Sequence, residues 1–365
     1  MAERRGSFSD GTAKSVFEDR SPLADIPAFR KDFRGKILGT WKLFSAVGKE
    51  NPVAFCDPPE ALLRTTFPLG AQKRGNNRGI AFFSDKGDCA VFCFHESHED
   101  VKLGSEDPTA AVENSSLDEV AHCFKTQLCF AGTWKVAKLD QEMAIRVAQT
   151  TFPNYRDESI TRHVKHLRST ESTKMELATP VMRTSGLASE YQSFQWIKAP
   201  PSSQELVTPW IVGVWDISSF EVTKNGSTDK SFPLGKYPTG VAFYDPGGYY
   251  GIIISDSAAP VVSTSNFLFL NTLASTKECK ASYQGSFALY GTYSTNSTTF
   301  VHRIWHCTLP NWSHMIMETE HTFDRINREC LITTVAESAP KSEGSHVDHI
   351  SSSVKVVLKM KKRAS

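Results

Sequence analysis

The stretch TTFVHRIWHCTLPNW, Thr298 to Trp312, concentrates the side chains of this chain best suited to chemistry. Read as a strand of period two, Phe300, His302, Ile304 and His306 share one face, and Val301, Arg303, Trp305 and Cys307 the other. Two imidazoles on one face point to proton transfer or to hydrogen bonding of a substrate. The next apolar run, MIMETEHTF (Met315 to Phe323), puts Glu318 and Glu320 on one face and Met317, Thr319 and His321 on the other. A carboxylate beside an imidazole raises its pKa and fixes its tautomer, which makes Glu320 a candidate partner for His302 and His306, with Arg303 alongside. Tyr283, Tyr290 and Tyr293, just upstream, are phenols able to donate to a carbonyl, and Tyr283 joins the candidate catalytic set. Phe300, Trp305 and Trp312, with Tyr290 and Tyr293, are candidate substrate-binding residues. Each has a plainer reading: a histidine tied to a backbone carbonyl, a solvated glutamate, a tyrosine packed with a wet tip.

The elements that must position these groups occur twice. GTW at Gly39 returns as GVW at Gly213, and TTFPLG (Thr65 to Gly70) as KSFPLG (Lys230 to Gly235). RGIAFFSDKG (Arg78 to Gly87) returns as TGVAFYDPGG (Thr239 to Gly248), FAGTW (Phe130 to Trp134) as LYGTYS (Leu289 to Ser294), and TTFPNY (Thr150 to Tyr155) as CTLPNW (Cys307 to Trp312). The order is kept and the offset drifts only from 174 residues (Trp41 to Trp215) to 157 (Pro153 to Pro310). Five phrases in register mean duplication. The expected units are a polar N-terminus over 1–35, one domain over 36–198, a Pro- and Ser-rich linker over 199–210, and a second domain over 211–365.

Each copy reads as about eight strands rich in Val, Ile, Phe, Tyr and Thr, separated by turns such as DPGG (Asp245 to Gly248). The predicted strands include 79–84, 88–95, 124–136 and 141–150 in the first copy, and 239–245, 249–255, 283–294 and 298–307 in the second. Almost no helical periodicity accompanies them. An all-β pair of eight-stranded antiparallel barrels follows, since closure removes the exposed edges of such sheets.

Taken in order, G-x-W at the first strand, F-P-x-G, G-x-x-x-Y-x-x-x-G-Y, a Tyr-rich strand and H-x(7)-P-N-W resemble the lipocalin-like domain family. The chain is similar to a tandem lipocalin-like protein, well matched in the second copy and degenerate in the first. The resemblance implies small calyx-shaped barrels that take an apolar ligand. Some two-barrel fungal relatives of that wider group act as cofactor-free cyclases, including Diels–Alderases, on polyketides or terpenoids. It also implies that His302 holds the family's histidine position, and that the recurring Trp41 and Trp215 close the barrel floors.

In the first copy the stretch aligned with His302 to His306 is Ile145 to Gln149, with Arg146 in the place of Arg303. The imidazoles are therefore confined to the second copy, where a site is expected. Arg146, Gln149 and Lys125 become candidates if a cleft between the domains is used instead. HESHED (His95 to Asp100) has metal-binding letters but lacks a matched ligand set, so a solvated turn is expected there and no metal.

Composition narrows the classes further. With 41 basic and 40 acidic residues the formal charge is +1, which leaves no electrostatic footprint for nucleic acid or anionic membrane. No apolar run reaches the ~20 residues of a membrane-spanning helix, and the N-terminus lacks a signal-peptide core. The eight cysteines are scattered through apolar runs like reduced core thiols, which with the rest suggests a soluble cytoplasmic protein. G-x-G-x-x-G, the P-loop, G-x-S-x-G and H-E-x-x-H are all missing. The reading that follows is a cofactor-independent cyclase or isomerase, of the pericyclase (Diels–Alderase) kind, holding an apolar polyketide or terpenoid intermediate. Its alternative is a non-catalytic carrier of an apolar metabolite, and a scaffold with filled interiors is a third.

Overall fold

The structure is a computed structural model that describes residues 33–50, 77–105, 108–136, 142–168, 173–178, 190–202, 207–224, 230–263, 274–295, 299–336 and 354–363. The N-terminal segment to residue 32, the first-copy TTFPLG and residues 203–206 of the linker lie outside the described residues.

Eight antiparallel strands close the first barrel: β1 Gly39–Glu50, β2 Asn77–Phe83, β3 Asp88–His95, β4 Gln127–Val136, β5 Glu142–Thr150, β6 Ser159–Arg168, β7 Thr173–Ala178 and β8 Glu190–Lys198, with β8 returning to β1. The second repeats it with β9 Gly213–Lys224, β11 Thr239–Tyr244, β12 Tyr249–Ser255, β13 Ser286–Thr295, β14 Thr299–Cys307, β15 Ile316–Asp324, β16 Glu329–Ala336 and β17 Val354–Lys362, closed by β17 on β9. A two-residue strand, β10 Lys230–Ser231, hangs on β9. The recurring tryptophans are structural anchors. Trp41 Nε1 donates to Ile37 O at 2.7 Å and Trp215 Nε1 to Ile211 O at 2.6 Å, while Lys198 and Lys362 lie over the two indoles.

Among the described residues, helices stand where strand or loop was expected at α1 Pro108–Glu113, α2 Leu117–Lys125 and α3 Thr276–Gln284. The expected strands 124–136 and 283–294 therefore start later, at Gln127 and Ser286. The cause is local and written twice in the sequence. Ser116 with Glu119, and Ser275 with Glu278, form complete capping boxes that satisfy the first free N–H groups of α2 and α3. The two helices are equivalent and pack against each other.

That pairing is part of a pseudo-twofold interface between the barrels. Phe82 stacks on its own counterpart, Phe243, at 5.8 Å, as expected where equivalent residues meet near an axis. Around them Ile80, Ala90, Phe92, Phe94, Cys129 and Ala131 of the first barrel meet Val214, Val241, Tyr249, Ile253, Ala288 and Tyr290 of the second in one apolar cluster. This is why β3 and β12 are buried along almost their whole length: one face lines a lumen and the other lines the interface.

The motif asparagines complete the contact. Asn311 Oδ1 accepts from Leu103 N at 2.9 Å and its Nδ2 donates to Leu103 O at 2.8 Å. Asn154 does the same to Val262 N and O, both at 2.9 Å. Each P-N-aromatic corner thus clasps the backbone of the opposite barrel.

Candidate functional site

Burial and register decide which predicted residues face the second lumen. Along β14, Phe300, His302 and Ile304 point inward, and all three are buried. Pairing with β13 then slips: Gly291 opposes Ile304, but Tyr290 opposes His306, so Trp305 is an extra residue, a β-bulge. The bulge reverses the alternation. His306 consequently faces the first barrel and does not share the His302 face, which corrects the period-two expectation. The bulge requires glycine at position 291, because a Cβ there would sit 1.9 Å from Arg303 O. Gly132 meets Arg146 O in the same way in the first barrel, where Ala148 is the extra residue.

The remaining candidates divide accordingly. On β15, Met317, Thr319, His321 and Phe323 face inward, whereas Glu320 is exposed on the outer wall together with Glu318 and cannot pair with His302. Arg303 is exposed as well. Tyr293 faces the lumen, with its hydroxyl donating to Asp245 O at 2.9 Å, and Trp312 lines the cavity. Tyr283 lies on α3 at the barrel mouth, its hydroxyl donating to Thr308 O. Tyr290 and Trp305 belong to the interface, where Lys42 of the first barrel lies 4.7 Å from the Trp305 ring centre.

In the first barrel, Arg146 is exposed on the outer surface. Lys125 ends α2 near Cys279 of α3. Gln149, the counterpart of His306, accepts from Ser255 Oγ at 2.6 Å and Thr239 Oγ1 at 3.0 Å across the interface.

The lumen of the second barrel holds a cavity of about 50 Å³ lined by Phe220, Tyr250, Ile254, Leu289, Ile332 and Leu358, with His302 and Tyr244 supplying polar atoms. A neighbouring space of about 70 Å³ at the mouth shares Phe220 and Phe287 with it and is bordered by Val112, on α1 of the first barrel. His302 is 5% exposed, and its Nε2 shares a hydrogen bond of 3.2 Å with Tyr244 Oη. Burial lowers its pKa to about 3, reinforced by nearby His321, so the imidazole is neutral across the ordinary pH range. Desolvation pushes the phenols of Tyr244 and Tyr250 well above their usual range, so they stay protonated. The site is therefore apolar, uncharged and equipped with neutral donors and acceptors.

HESHED, expected to be a solvated turn, reaches across the interface instead. His98 is fully buried. Its Nε2–H donates to Cys307 O at 2.9 Å, which fixes the tautomer, and its Nδ1 meets Thr126 Oγ1. Glu99 contacts both His306 Nδ1 and His314 Nε2, the latter at 3.1 Å. Burial alone would raise the Glu99 pKa, but its bonds to His306 and His314 prevail and hold it at about 2. His306 is shifted down by burial, against the pull of Glu99. Among the described residues, no group of three or more His, Cys, Asp or Glu is arranged to hold a metal ion.

Two closed eight-stranded barrels, one with an apolar internal cavity, define a tandem lipocalin-like architecture. The family model of the lipocalin-like domain matches residues 212–356, the second barrel. Among solved structures, a protein of unknown function from the DUF3598 family of Nostoc punctiforme is similar at 8% identity over 91% of this chain and 98% of its own length, with a TM-score of 0.19. No curated protein matches the chain. Among the described residues no helix is long and apolar enough to cross a membrane.

Proposed function

We propose that this protein binds a small apolar molecule inside its second barrel, with the first barrel acting as a structural partner that helps cover the mouth. The observation that carries the reading is the apolar cavity beside His302 and Tyr250, inside the barrel that matches the lipocalin-like family. The interior of the first barrel is occupied by large side chains, among them Trp134, Trp196, Phe130, Met143 and Met175. Pockets for drug-sized ligands run to ~300–1,000 Å³, so the existing space favours a compact ligand over a long polyketide or terpenoid chain.

The test is calorimetric titration of the full chain with compact apolar probes such as toluene at two temperatures. One site per chain and a negative heat-capacity change are expected, as for burial of apolar surface. Leu289→Phe, which adds volume to the cavity wall, should abolish the binding in a chain that still unfolds cooperatively. Absence of saturable binding to the wild-type chain would contradict the reading.

A catalytic version, a cofactor-independent cyclase or isomerase, draws support from one specific feature: a protonated phenol, Tyr250, beside a neutral imidazole, His302, in an apolar site. Such a donor could stabilise charge developing on a carbonyl. Under that version His302→Ala lowers turnover while substrate still binds, whereas in a carrier it changes affinity only a few fold.

A further inference from the structure

Among the polar groups of the second lumen, most are accounted for. Tyr244 and His302 bond each other, His302 Nδ1 lies 3.5 Å from Thr319 Oγ1, and Tyr293 donates to Asp245 O. Two are not: Nδ1 of the inward-facing His321, which a neutral imidazole can keep as its unprotonated nitrogen, and the hydroxyl of Tyr250. Of the two residues, Tyr250 lines the cavity. It is 1% exposed, its ring lies 4.6 Å from that of His302, and its hydroxyl is shielded from solvent without a partner among the described residues. A buried hydroxyl with no acceptor is unfavourable, and such groups in native proteins call for an explanation.

We infer that the Tyr250 hydroxyl is the specificity-determining donor of the site, and that the ligand is a compact neutral molecule whose hydrogen-bond acceptor, a ketone or ester carbonyl, meets it inside the barrel. This deepens the proposed binding function and rests on it. Three observations support the chemical class. No charged side chain lines the cavity among the described residues, so a carboxylate would be buried without a counter-charge. The phenol offers a proton that burial keeps in place, and the neighbouring imidazole is neutral. Size sets the third limit. The inner and mouth spaces, about 50 and 70 Å³, are both bordered by Phe220 and Phe287, whose rings stack at 5.4 Å. If that pair swung aside, the joined space would approach the ~150 Å³ that holds benzene in a protein core. The ligand is thus ring-sized, and Phe220 and Phe287 stand on its path inward.

The test uses three probes built on one six-membered ring, cyclohexanone, cyclohexane and cyclohexanecarboxylate, on the full chain and on Tyr250→Phe, which keeps the ring and deletes only the donor. The wild type should bind the ketone most tightly and the carboxylate least. Tyr250→Phe should weaken the ketone about tenfold and leave cyclohexane unchanged. The infrared carbonyl stretch of bound cyclohexanone should lie lower in the wild type than in the variant. Equal ketone affinity in both proteins with no carbonyl shift, while cyclohexane still binds, would overturn the inference and leave the binding reading standing. Tightest binding of the carboxylate would also overturn it. Failure of all three probes to bind the wild type would remove both.

Discussion

At the scale of single residues, position 291 shows how much a side chain's absence can decide. Gly291 permits the bulge at Trp305, and the bulge sends His302 into the lumen and His306 to the other barrel. Gly291→Ala would drive a Cβ into Arg303 O and should cost about 2–4 kcal/mol in urea unfolding, as other severe backbone clashes do. Gly35→Ala, where nothing lies within 4 Å, is the control and should be neutral or slightly stabilising. Sequence alone placed His302 on one face with Phe300 and Ile304, the face that the structure turns inward, because alternation holds up to Ile304. It misplaced His306 because a bulge shifts the period by one. The available signal was glycine inside an otherwise apolar strand, in both FAGTW and LYGTYS. Tyr250 and Tyr244 were not among the site candidates for the opposite reason: their strands are buried on both faces, so alternation carries no contrast there.

At the scale of elements, the 3₁₀ turn after β3 and the two P-N-aromatic corners act as fasteners. Asn311→Ala leaves the Leu103 N–H and C=O without their partner and should cost about 1–3 kcal/mol, with Asn154→Ala similar at Val262. An unchanged denaturation midpoint in both variants would contradict this role. The buried histidines add a pH dependence whose sign is fixed. Burial lowers the His98 pKa to about 4 and the His302 pKa to about 3, against an ordinary value of 6.5. Below pH 6.5 the unfolded chain takes up protons that the folded chain refuses, so stability is fully present above that pH. It falls by roughly 1.4 kcal/mol per pH unit for each such histidine as the pH drops toward 4. Glu99, held at about 2 against 4.5, extends the loss to lower pH. Urea midpoints at pH 7.5 and pH 5 check this, and equal midpoints would refute it. Both capping boxes could have been read as S-x-x-E before an apolar run. The role of HESHED could not, since its partners lie more than two hundred residues away.

At the scale of the whole molecule, duplication was the most legible feature, because five phrases in register survive divergence of everything between them. What the repeat could not reveal was that the copies turn their equivalent faces toward each other, making Tyr290, Gln149 and His306 contacts between barrels. The symmetry of that contact gives both copies the same scaffold and leaves them free to differ inside. Both interiors are rich in aromatic side chains, and both hold buried donors without a partner among the described residues, the Trp134 and Trp196 indole N–H groups in the first and the Tyr250 phenol in the second, where the phenol borders a small cavity. The claim on which the account turns is that only the second interior takes a ligand. Methyl-resolved NMR during titration with cyclohexanone tests it most directly. Saturable shifts are expected at Ile252, Ile254, Ile332 and Leu358, with Ile145, Val147, Val164 and Leu177 of the first barrel unmoved; shifts centred on the first barrel, or none at all, would contradict it.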